Sequence, residues 1–123
     1  KPEDIAGCIQ VLIENNDFDA AVTVYDSERN PYFNMVEFSG PNVRLVKNMD
    51  TGFLRRQDAP LVYSVSPAVF AWRRESMSIK HLYQGKWGAH IIPRERAIDI
   101  DTRYDFSLVE WILKRNKVGF DGH

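Results

Sequence analysis

The segment PEDIAGCIQVLIENNDFDAAVTVYD, residues 2–26, contains the helix-to-strand step that decides the fold class. Pro2 suits the first turn of a helix, and apolar residues then recur at helical spacing as far as residue 15. The predicted core face of this helix comprises Ile5, Ile9, Leu12 and Ile13. Residues 20–26, AAVTVYD, have the composition of a buried strand. A helix followed directly by a buried strand is the unit of an α/β layer fold.

Shorter segments continue this pattern downstream. We predict a buried strand at 67–72, a short helix at 75–83, a turn at 85–88 and an extended segment at 89–93. Thr102 and Asp105 have the spacing of a capping box, and an apolar stripe follows them. The stripe comprises Phe106, Val109, Ile112 and Leu113. We therefore expect a helix as far as about Arg115 and a frayed tail at 116–123.

The segment 27–60 differs in character from the rest of the chain. Two short extended runs, at 27–38 and 42–46, flank the turn signal SGPN at 39–42. Residues 48–60 have little periodicity, and the apolar side chains of the whole segment would need cover from another surface. We interpret the segment as an inserted arm or flap, and a partner subunit is one candidate for its cover.

Composition and charge narrow the classes of partner. The 123-residue chain suits one compact domain or part of a larger one, and its net charge of -1 gives no electrostatic case for binding nucleic acid or an anionic membrane. The sequence contains no apolar run long enough to span a membrane and no recognisable signal peptide. The single cysteine, Cys8, has apolar neighbours, so we expect a small buried residue in a reducing compartment. These features predict a cytoplasmic protein with no nucleic-acid or membrane partner.

Two aspartates stand one residue apart in AIDIDT, residues 97–102. In a strand, Asp99 and Asp101 would share one face while Ile98 and Ile100 faced the core. Two carboxylates this close repel each other, and a Mg²⁺ ion completed by phosphate oxygens and waters would relieve that repulsion. The start of the next helix would also favour an anion nearby. By its spacing alone, the pair is more simply interpreted as an exposed carboxylate followed by a helix cap.

Four motifs in this order resemble the acylneuraminate cytidylyltransferase family, and the resemblance covers essentially the whole chain. They are RRQDAPLVY at 55–63, SPAVF at 66–70, LYQGKWG at 82–88 and RAIDIDTRYDFSLVEWIL at 96–113. The resemblance implies transfer of a cytidylyl group from CTP to the anomeric hydroxyl of a nine-carbon 2-keto sugar acid, with Mg²⁺ and release of pyrophosphate. It also implies a three-layer α/β/α, nucleotide-sugar-transferase-like (Rossmann-like) core. An inserted β arm, here at about 27–60, would form a homodimer and reach over the partner's active site.

The resemblance also assigns roles to individual residues. Asp99 and Asp101 match the metal-binding aspartates, and either could instead act as a base. The sugar-contacting positions are Arg55, Arg56, Gln57, Phe70, Leu82 and Tyr83. An arginine fork suits a sugar carboxylate because it can give two parallel hydrogen bonds. Without the resemblance, Phe70 and Leu82 would be interpreted as ordinary core residues.

Two departures from the family pattern matter. The family commonly has N-G-A-[IV]-Y where this chain has SPAVF at 66–70, and the loss of polar groups favours a sugar of legionaminic or pseudaminic type over ordinary sialic acid. The Gly-rich, basic loop that binds the triphosphate in the family has no counterpart in this sequence. We therefore interpret residues 1–123 as the C-terminal part of such an enzyme and expect no turnover of CTP by these residues alone.

Other functions compete with this interpretation. A cytidylyltransferase for a deoxyoctulosonic acid, a glycosyltransferase with an Asp-x-Asp metal site, and a non-catalytic dimerisation or regulatory module all remain open. The basic pairs in FLRR and AWRRE are offset by acidic neighbours and are interpreted as solvated surface. The histidines show no metal-ligand spacing and receive no role; they are His81, His90 and His123.

Overall fold

A computed structural model of the chain describes residues 1–48, 55–79 and 84–120. The chain divides into two compact units. We call Lys1–Tyr25 with Val65–His123 the sheet unit, and Asp26–Ser64 the hairpin unit. The fold is mixed α/β, as the sequence predicts at the level of fold class.

Two helices and five strands make up the regular structure of the described residues. In chain order they are α1 (Pro2–Glu14), β1 (Ala20–Asp26), β2 (Val36–Ser39), β3 (Asn42–Leu45), β4 (Tyr63–Trp72), β5 (Trp87–Ile91) and α2 (Arg103–Phe120). Short 3₁₀ helices lie at Arg56–Asp58, Arg74–Ser78 and Arg94–Arg96. The helix and the strand predicted for residues 2–26 are confirmed. Within the described ranges, no helix combines the length and the low charge that a membrane span requires.

The first sheet has the strand order β4-β1-β5. Strands β1 and β5 are parallel, with Ala20 opposite Trp87 and Val24 opposite Ile91. Helix α1 packs against β5, and the core beneath it is built from Cys8, Leu12 and Ala21, with Val11, Phe18, Val69 and Ala71 packed around them. Cys8 is buried, as predicted, and burial raises the pKa of its thiol.

Glycines let α1 lie unusually close to β5. A Cβ atom on Gly7 of α1 would overlap the imidazole ring of His90, and one on Gly88 of β5 would overlap the ring of Phe18 and a methyl group of Val11. A larger residue at either position would therefore push the helix away from the sheet.

The buried face of α1 differs from the predicted one. Of the predicted face, Leu12 is buried, whereas Ile5, Ile9 and Ile13 are exposed, with Ile13 at 65%; the other buried residues of the helix are Asp4 and Cys8. Both sets recur every four residues, so helical periodicity cannot choose between neighbouring stripes. The choice depends on what the stripe meets: Cys8 and Leu12 pack on Ala21 of β1, and His90 of β5 and Arg96 both reach Asp4.

Several downstream predictions need correction. Strand β4 extends from Tyr63 and is only partly buried, since Phe70 is 44% exposed. The short helix expected at 75–83 is a 3₁₀ helix over Arg74–Ser78, and residues 80–83 lie outside the described part. The predicted turn at 85–88 ends earlier, because β5 begins at Trp87.

The last helix also differs from its prediction. Helix α2 continues to Phe120 instead of fraying after Arg115. Phe106 and Leu113 of its predicted apolar stripe are more than half exposed. The helix was correctly located by its capping signal, but only Val109 and Ile112 of the stripe are partly buried.

The hairpin unit contains the antiparallel pair β2 and β3, with Val36 opposite Leu45 and Ser39 opposite Asn42. Gly40 in the connecting turn has φ +63°, a conformation that favours glycine. The turn predicted at 39–42 is thus confirmed. Exposed apolar side chains on and beside the hairpin are Met35, Val36, Phe38, Val43 and Val46.

Candidate functional site

The paired aspartates lie on a loop rather than on a strand. Strand β5 ends at Ile91, the 3₁₀ helix Arg94–Arg96 follows, and residues 97–101 have no regular structure before α2 begins. Asp99 and Asp101 are both exposed. The strand prediction is wrong because β5 ends at Ile91 and a 3₁₀ helix follows it before the aspartates.

The isoleucines beside the aspartates confirm only half of the predicted alternation. Ile98 is partly buried, but Ile100 is 49% exposed. An irregular loop has no fixed two-residue repeat, so the two isoleucines need not face the same way. The carboxylates of Asp99 and Asp101 nevertheless both remain on the accessible side of the chain.

The C-terminal end of this loop is fixed by a capping box. The Oδ2 atom of Asp105 accepts hydrogen bonds from the Thr102 amide at 2.8 Å, the Thr102 hydroxyl at 2.7 Å and the Asp101 amide at 3.2 Å. The Asp105 amide donates to the Thr102 hydroxyl at 3.2 Å. These bonds, the Thr102 hydroxyl first, hold the pKa of Asp105 below its usual range. The predicted capping box is confirmed, and it directly holds the main chain of Asp101.

The N-terminal end of the loop is fixed by an ion pair. Arg96 donates from Nε to Asp4 Oδ2 at 3.0 Å and from Nη2 to Asp4 Oδ1 at 2.8 Å, which is the bidentate geometry of a strong pair. Asp4 is 2% exposed and lies on α1, and Ala97, which follows Arg96 directly, is also buried. The Arg96 guanidinium lowers the pKa of Asp4, and the Asp4 carboxylate raises that of Arg96.

His90 completes the surroundings of Asp4. Its Nε2 atom lies 3.8 Å from Asp4 Oδ1, and its ring occupies the space left open by Gly7. The main-chain nitrogen of Lys1 also lies 3.1 Å from Asp4 Oδ2. Sequence reasoning missed this group because Asp4 and Arg96 are 92 positions apart. An aspartate in the middle of a buried stripe is the one sequence signal that could have indicated it.

The donor chemistry of the loop suits Mg²⁺. Asp99 and Asp101 supply oxygen ligands at the surface, and Mg²⁺ commonly takes one or two carboxylates together with substrate phosphates and waters. Among residues 1–48, 55–79 and 84–120, no three His, Cys, Asp or Glu side chains cluster as a metal site. Asp99 and Asp101 would supply two of the oxygen ligands of such an ion, whereas Asp105 is committed to the helix cap.

The predicted sugar-contacting residues are only partly described. Phe70 lies on β4 with its ring partly exposed. Arg55 and Gln57 are exposed residues of the hairpin unit, at the 3₁₀ helix Arg56–Asp58. The side chain of Arg56 lies outside the described part, as do Leu82 and Tyr83 entirely. A cavity of about 180 Å³ in the hairpin unit is not lined by any of the predicted site residues.

A second polar network joins the ends of the core elements. Arg73 donates to the carbonyl oxygens of Leu12, Asn15 and Phe18 and so caps the C-terminus of α1. Asp19 accepts hydrogen bonds from the Ser76 hydroxyl at 2.7 Å and the Lys86 amide at 2.8 Å. The Ser76 hydrogen bond is the largest cause of the lowered pKa of Asp19. The interpretation of AWRRE as solvated surface is therefore wrong for Arg73.

Comparison with known proteins relates the chain to two Campylobacter proteins. It is 32% identical over 93 residues to the CMP-N,N'-diacetyllegionaminic acid synthase of Campylobacter jejuni, an alignment that covers 75% of this chain and 39% of that protein. It is 28% identical over 116 residues to the post-translational flagellin modification protein B of Campylobacter coli, covering 94% of this chain and 48% of that protein. The chain belongs to the acylneuraminate cytidylyltransferase family.

Two further results limit what the comparisons show about this chain. No family model matches the chain. The chain spans less than half the length of either relative. The comparisons therefore show the family of the chain, and the activity of the whole protein is a matter for proposal.

Proposed function

We propose that the chain is part of a Mg²⁺-dependent cytidylyltransferase. The enzyme transfers CMP from CTP to the anomeric hydroxyl of a nonulosonic acid and releases pyrophosphate. One observation carries the proposal: a loop with two exposed carboxylates, Asp99 and Asp101, is fixed at both ends by Asp4–Arg96 and Thr102–Asp105. A fixed acidic loop has a clear use in a family whose substrates carry phosphate.

The reaction is an in-line displacement at the α-phosphorus of CTP. The sugar hydroxyl attacks, its proton leaves, and the bond to pyrophosphate breaks. Asp99 and Asp101 would hold Mg²⁺. When bound, this ion would neutralise charge on the α-phosphate. Either carboxylate can instead accept the hydroxyl proton, and the fixed loop keeps both in one place for that role.

The substrate we favour is a sugar acid of legionaminic type. The Campylobacter jejuni relative is named for N,N'-diacetyllegionaminic acid, and this chain has Phe70 where the family commonly has a tyrosine. A ring without a hydroxyl suits an apolar part of the sugar, such as an acyl methyl group. In the proposal, Arg55, Arg56 and Gln57 bind the sugar carboxylate, since arginine and amide N–H groups are its natural donors.

We also propose that the hairpin unit is the dimerisation arm of a three-layer α/β/α enzyme. Val36 and Phe38 of β2 and Val43 of β3 are exposed, Phe38 at 81%. An exposed apolar hairpin of this kind is a typical protein-interaction surface. A partner subunit would cover it, and use of CTP would place the enzyme in the cytoplasm.

Pyrophosphate release tests the proposal. The full-length protein that contains this chain is assayed with CTP, Mg²⁺ and a panel of nonulosonic and deoxyoctulosonic acids. We expect release with a legionaminic-type acid, and we expect Asp101→Ala to lower kcat by roughly 100-fold or more with the fold intact. Asp17→Ala, at an exposed aspartate on the segment between α1 and β1, is the matched control and should leave the rate unchanged.

Four results would each contradict a different part of the proposal. Release only with a deoxyoctulosonic acid would correct the substrate. A near-normal rate in Asp101→Ala would refute the metal role of the loop. No release with any sugar from a folded protein would leave a non-catalytic dimerisation or regulatory module as the better interpretation. Turnover by residues 1–123 alone would refute the expectation that they are inactive in isolation.

A further inference from the structure

Strand β4 breaks its two-residue alternation at Pro67 and Ala68. Val65, Pro67, Ala68, Phe70 and Trp72 are exposed along it, whereas Ser66 is buried and Val69 and Ala71 are partly buried. Val69 and Ala71 pack against the core of Cys8, Leu12 and Ala21. Two consecutive exposed residues within the alternating pattern indicate one extra residue in the strand, as in a β-bulge.

A buried hydroxyl group on the neighbouring strand holds this irregularity. Thr23 of β1 is 0% exposed, and its Oγ1 accepts a hydrogen bond from the Val69 amide at 3.1 Å. The same hydroxyl lies 3.2 Å from the Ser66 carbonyl oxygen, to which it can donate. Main-chain groups that a regular strand pair would satisfy are thus satisfied by a side chain.

Local groups on β4 complete the arrangement. The Ser66 hydroxyl accepts a hydrogen bond from the Ala68 amide at 3.2 Å, and Ser66 is itself fully buried. Pro67 has no amide hydrogen to leave unpaired, which makes the extra residue less costly at this position. The Thr23 hydroxyl of β1 is thus the side-chain group from a neighbouring strand that holds the bulge.

The bulge decides which side of the sheet Phe70 occupies. Without an extra residue, strict alternation would place Phe70 on the same side as Ser66, against the core, and would turn Ala71 outward. With it, the ring of Phe70 is 44% exposed on the open face. Thr23, which lies 46 positions before Val69 in the chain, therefore sets the orientation of Phe70.

We propose that Thr23 is a positioning residue for sugar recognition, because its hydroxyl holds the β4 bulge that presents Phe70 to the acyl substituent of the sugar acid. The proposal rests on the proposed function for the contact between Phe70 and the sugar. The positioning of Phe70 by Thr23 rests on geometry alone and can be tested without any turnover.

The test uses two substitutions of Thr23 in the full-length protein. Thr23→Val keeps the shape of the side chain and removes the hydroxyl, whereas Thr23→Ser keeps the hydroxyl. In NMR spectra we expect the Val69 amide to exchange with solvent at least tenfold faster in Thr23→Val, and contacts of the Phe70 ring to shift toward the core. Thr23→Ser should resemble the wild type in both measurements. If Thr23→Val does not fold, Thr23→Ala, which leaves room for a water molecule, replaces it.

Kinetic measurements distinguish a positioning role of Thr23 from a general loss of active structure. We expect Thr23→Val to raise KM for the sugar acid about tenfold and to leave KM for CTP within about twofold. In a Phe70→Ala background, Thr23→Val should have no further effect on KM for the sugar, because it acts through Phe70. Equal effects on both KM values, or full additivity with Phe70→Ala, would overturn the proposal.

Together, the NMR and kinetic measurements distinguish failure of the positioning role from failure of the proposed function. An unchanged Val69 exchange rate and an unmoved Phe70 ring in Thr23→Val would overturn the positioning role whatever the enzyme does. If the ring moves but neither Thr23→Val nor Phe70→Ala changes KM for the sugar, the positioning stands and the sugar contact is wrong. If the wild-type protein shows no turnover, the proposed function fails, and the NMR measurements still decide what Thr23 does.

Discussion

At the scale of single residues, Asp4 shows how a buried charge can serve a distant loop. Its carboxylate is almost inaccessible, yet it is paired in bidentate fashion with Arg96, which immediately precedes the aspartate loop. A buried charge that lost this partner would be strongly unfavourable, so the pair fixes where the loop starts. Asp105 has the equivalent role at the other end and differs from Asp99 and Asp101 in being committed to hydrogen bonds.

The Asp4–Arg96 pair predicts a dependence of stability on pH. The pKa of Asp4 is lowered from 3.8, chiefly by its hydrogen bond with Arg96, while the main-chain nitrogen of Lys1 and His90 also face the carboxylate. A lowered folded-state pKa contributes stability above the unfolded value and loses it as the pH falls through the folded value. We expect the free energy of unfolding, measured in urea, to fall below about pH 4, and less steeply in Asp4→Asn.

We also expect Asp4→Asn to lower the free energy of unfolding at neutral pH. Removal of one partner leaves Arg96 without its charge-assisted bonds, and we expect a loss of roughly 3 kcal/mol at pH 7. Asp17→Asn, at an exposed position, should change neither the stability at pH 7 nor the slope in acid. An identical acid slope in Asp4→Asn and the wild type would show that the pair contributes no pH-dependent stability.

At the scale of elements, α1 is joined to the sheet at both ends by polar groups and in the middle by close packing. Asp4 pairs with Arg96 near its N-terminus, Arg73 binds the carbonyls at its C-terminus, and Gly7 admits the ring of His90. Apolar packing contributes correspondingly little to holding α1 on the sheet, because three isoleucines of the helix remain exposed. The helix should therefore be sensitive to the loss of a single polar contact.

Arg73 and its neighbour Arg74 provide a matched pair for testing this. Arg73 donates to three main-chain carbonyls, and lysine cannot reproduce that planar geometry. We expect Arg73→Lys to lower the free energy of unfolding by about 2 kcal/mol. Arg74 is exposed, so Arg74→Lys should lie within about 0.5 kcal/mol of the wild type in the same urea titration. Equal effects of the two substitutions would mean that the α1 cap contributes little.

At the scale of the whole molecule, the apolar hairpin makes a prediction about assembly. If β2 and β3 form a dimer interface, Phe38→Arg should convert a dimer of the full-length protein to a monomer in analytical ultracentrifugation, because a charge would be buried without a partner. Leu61→Arg makes the same change at an apolar residue that is 82% exposed outside the hairpin strands, and it should leave the dimer intact. A Phe38→Arg protein that remains dimeric would exclude the hairpin as the interface.

Local signals decided much of the fold in advance. The helix at Pro2–Glu14, the strand at Ala20–Asp26, the glycine turn before β3 and the capping box at Thr102–Asp105 all follow from the sequence. Each depends on interactions within a few residues, namely helical spacing, β-branched composition, turn chemistry and a side chain that caps a nearby amide. The motifs that place the chain in its family are likewise contiguous and were recognised without a structure.

The tertiary structure alone decided which surfaces meet. It chose the Asp4–Cys8–Leu12 stripe of α1 over the adjacent isoleucines, and it placed Asp99 and Asp101 on a loop. It also brought Asp4 to Arg96 across 92 positions and Thr23 to Val69 across 46. Periodicity gives the direction of a side chain only relative to its own element. The neighbours of that side chain depend on how close α1 and β5 can come, and their glycines set that distance.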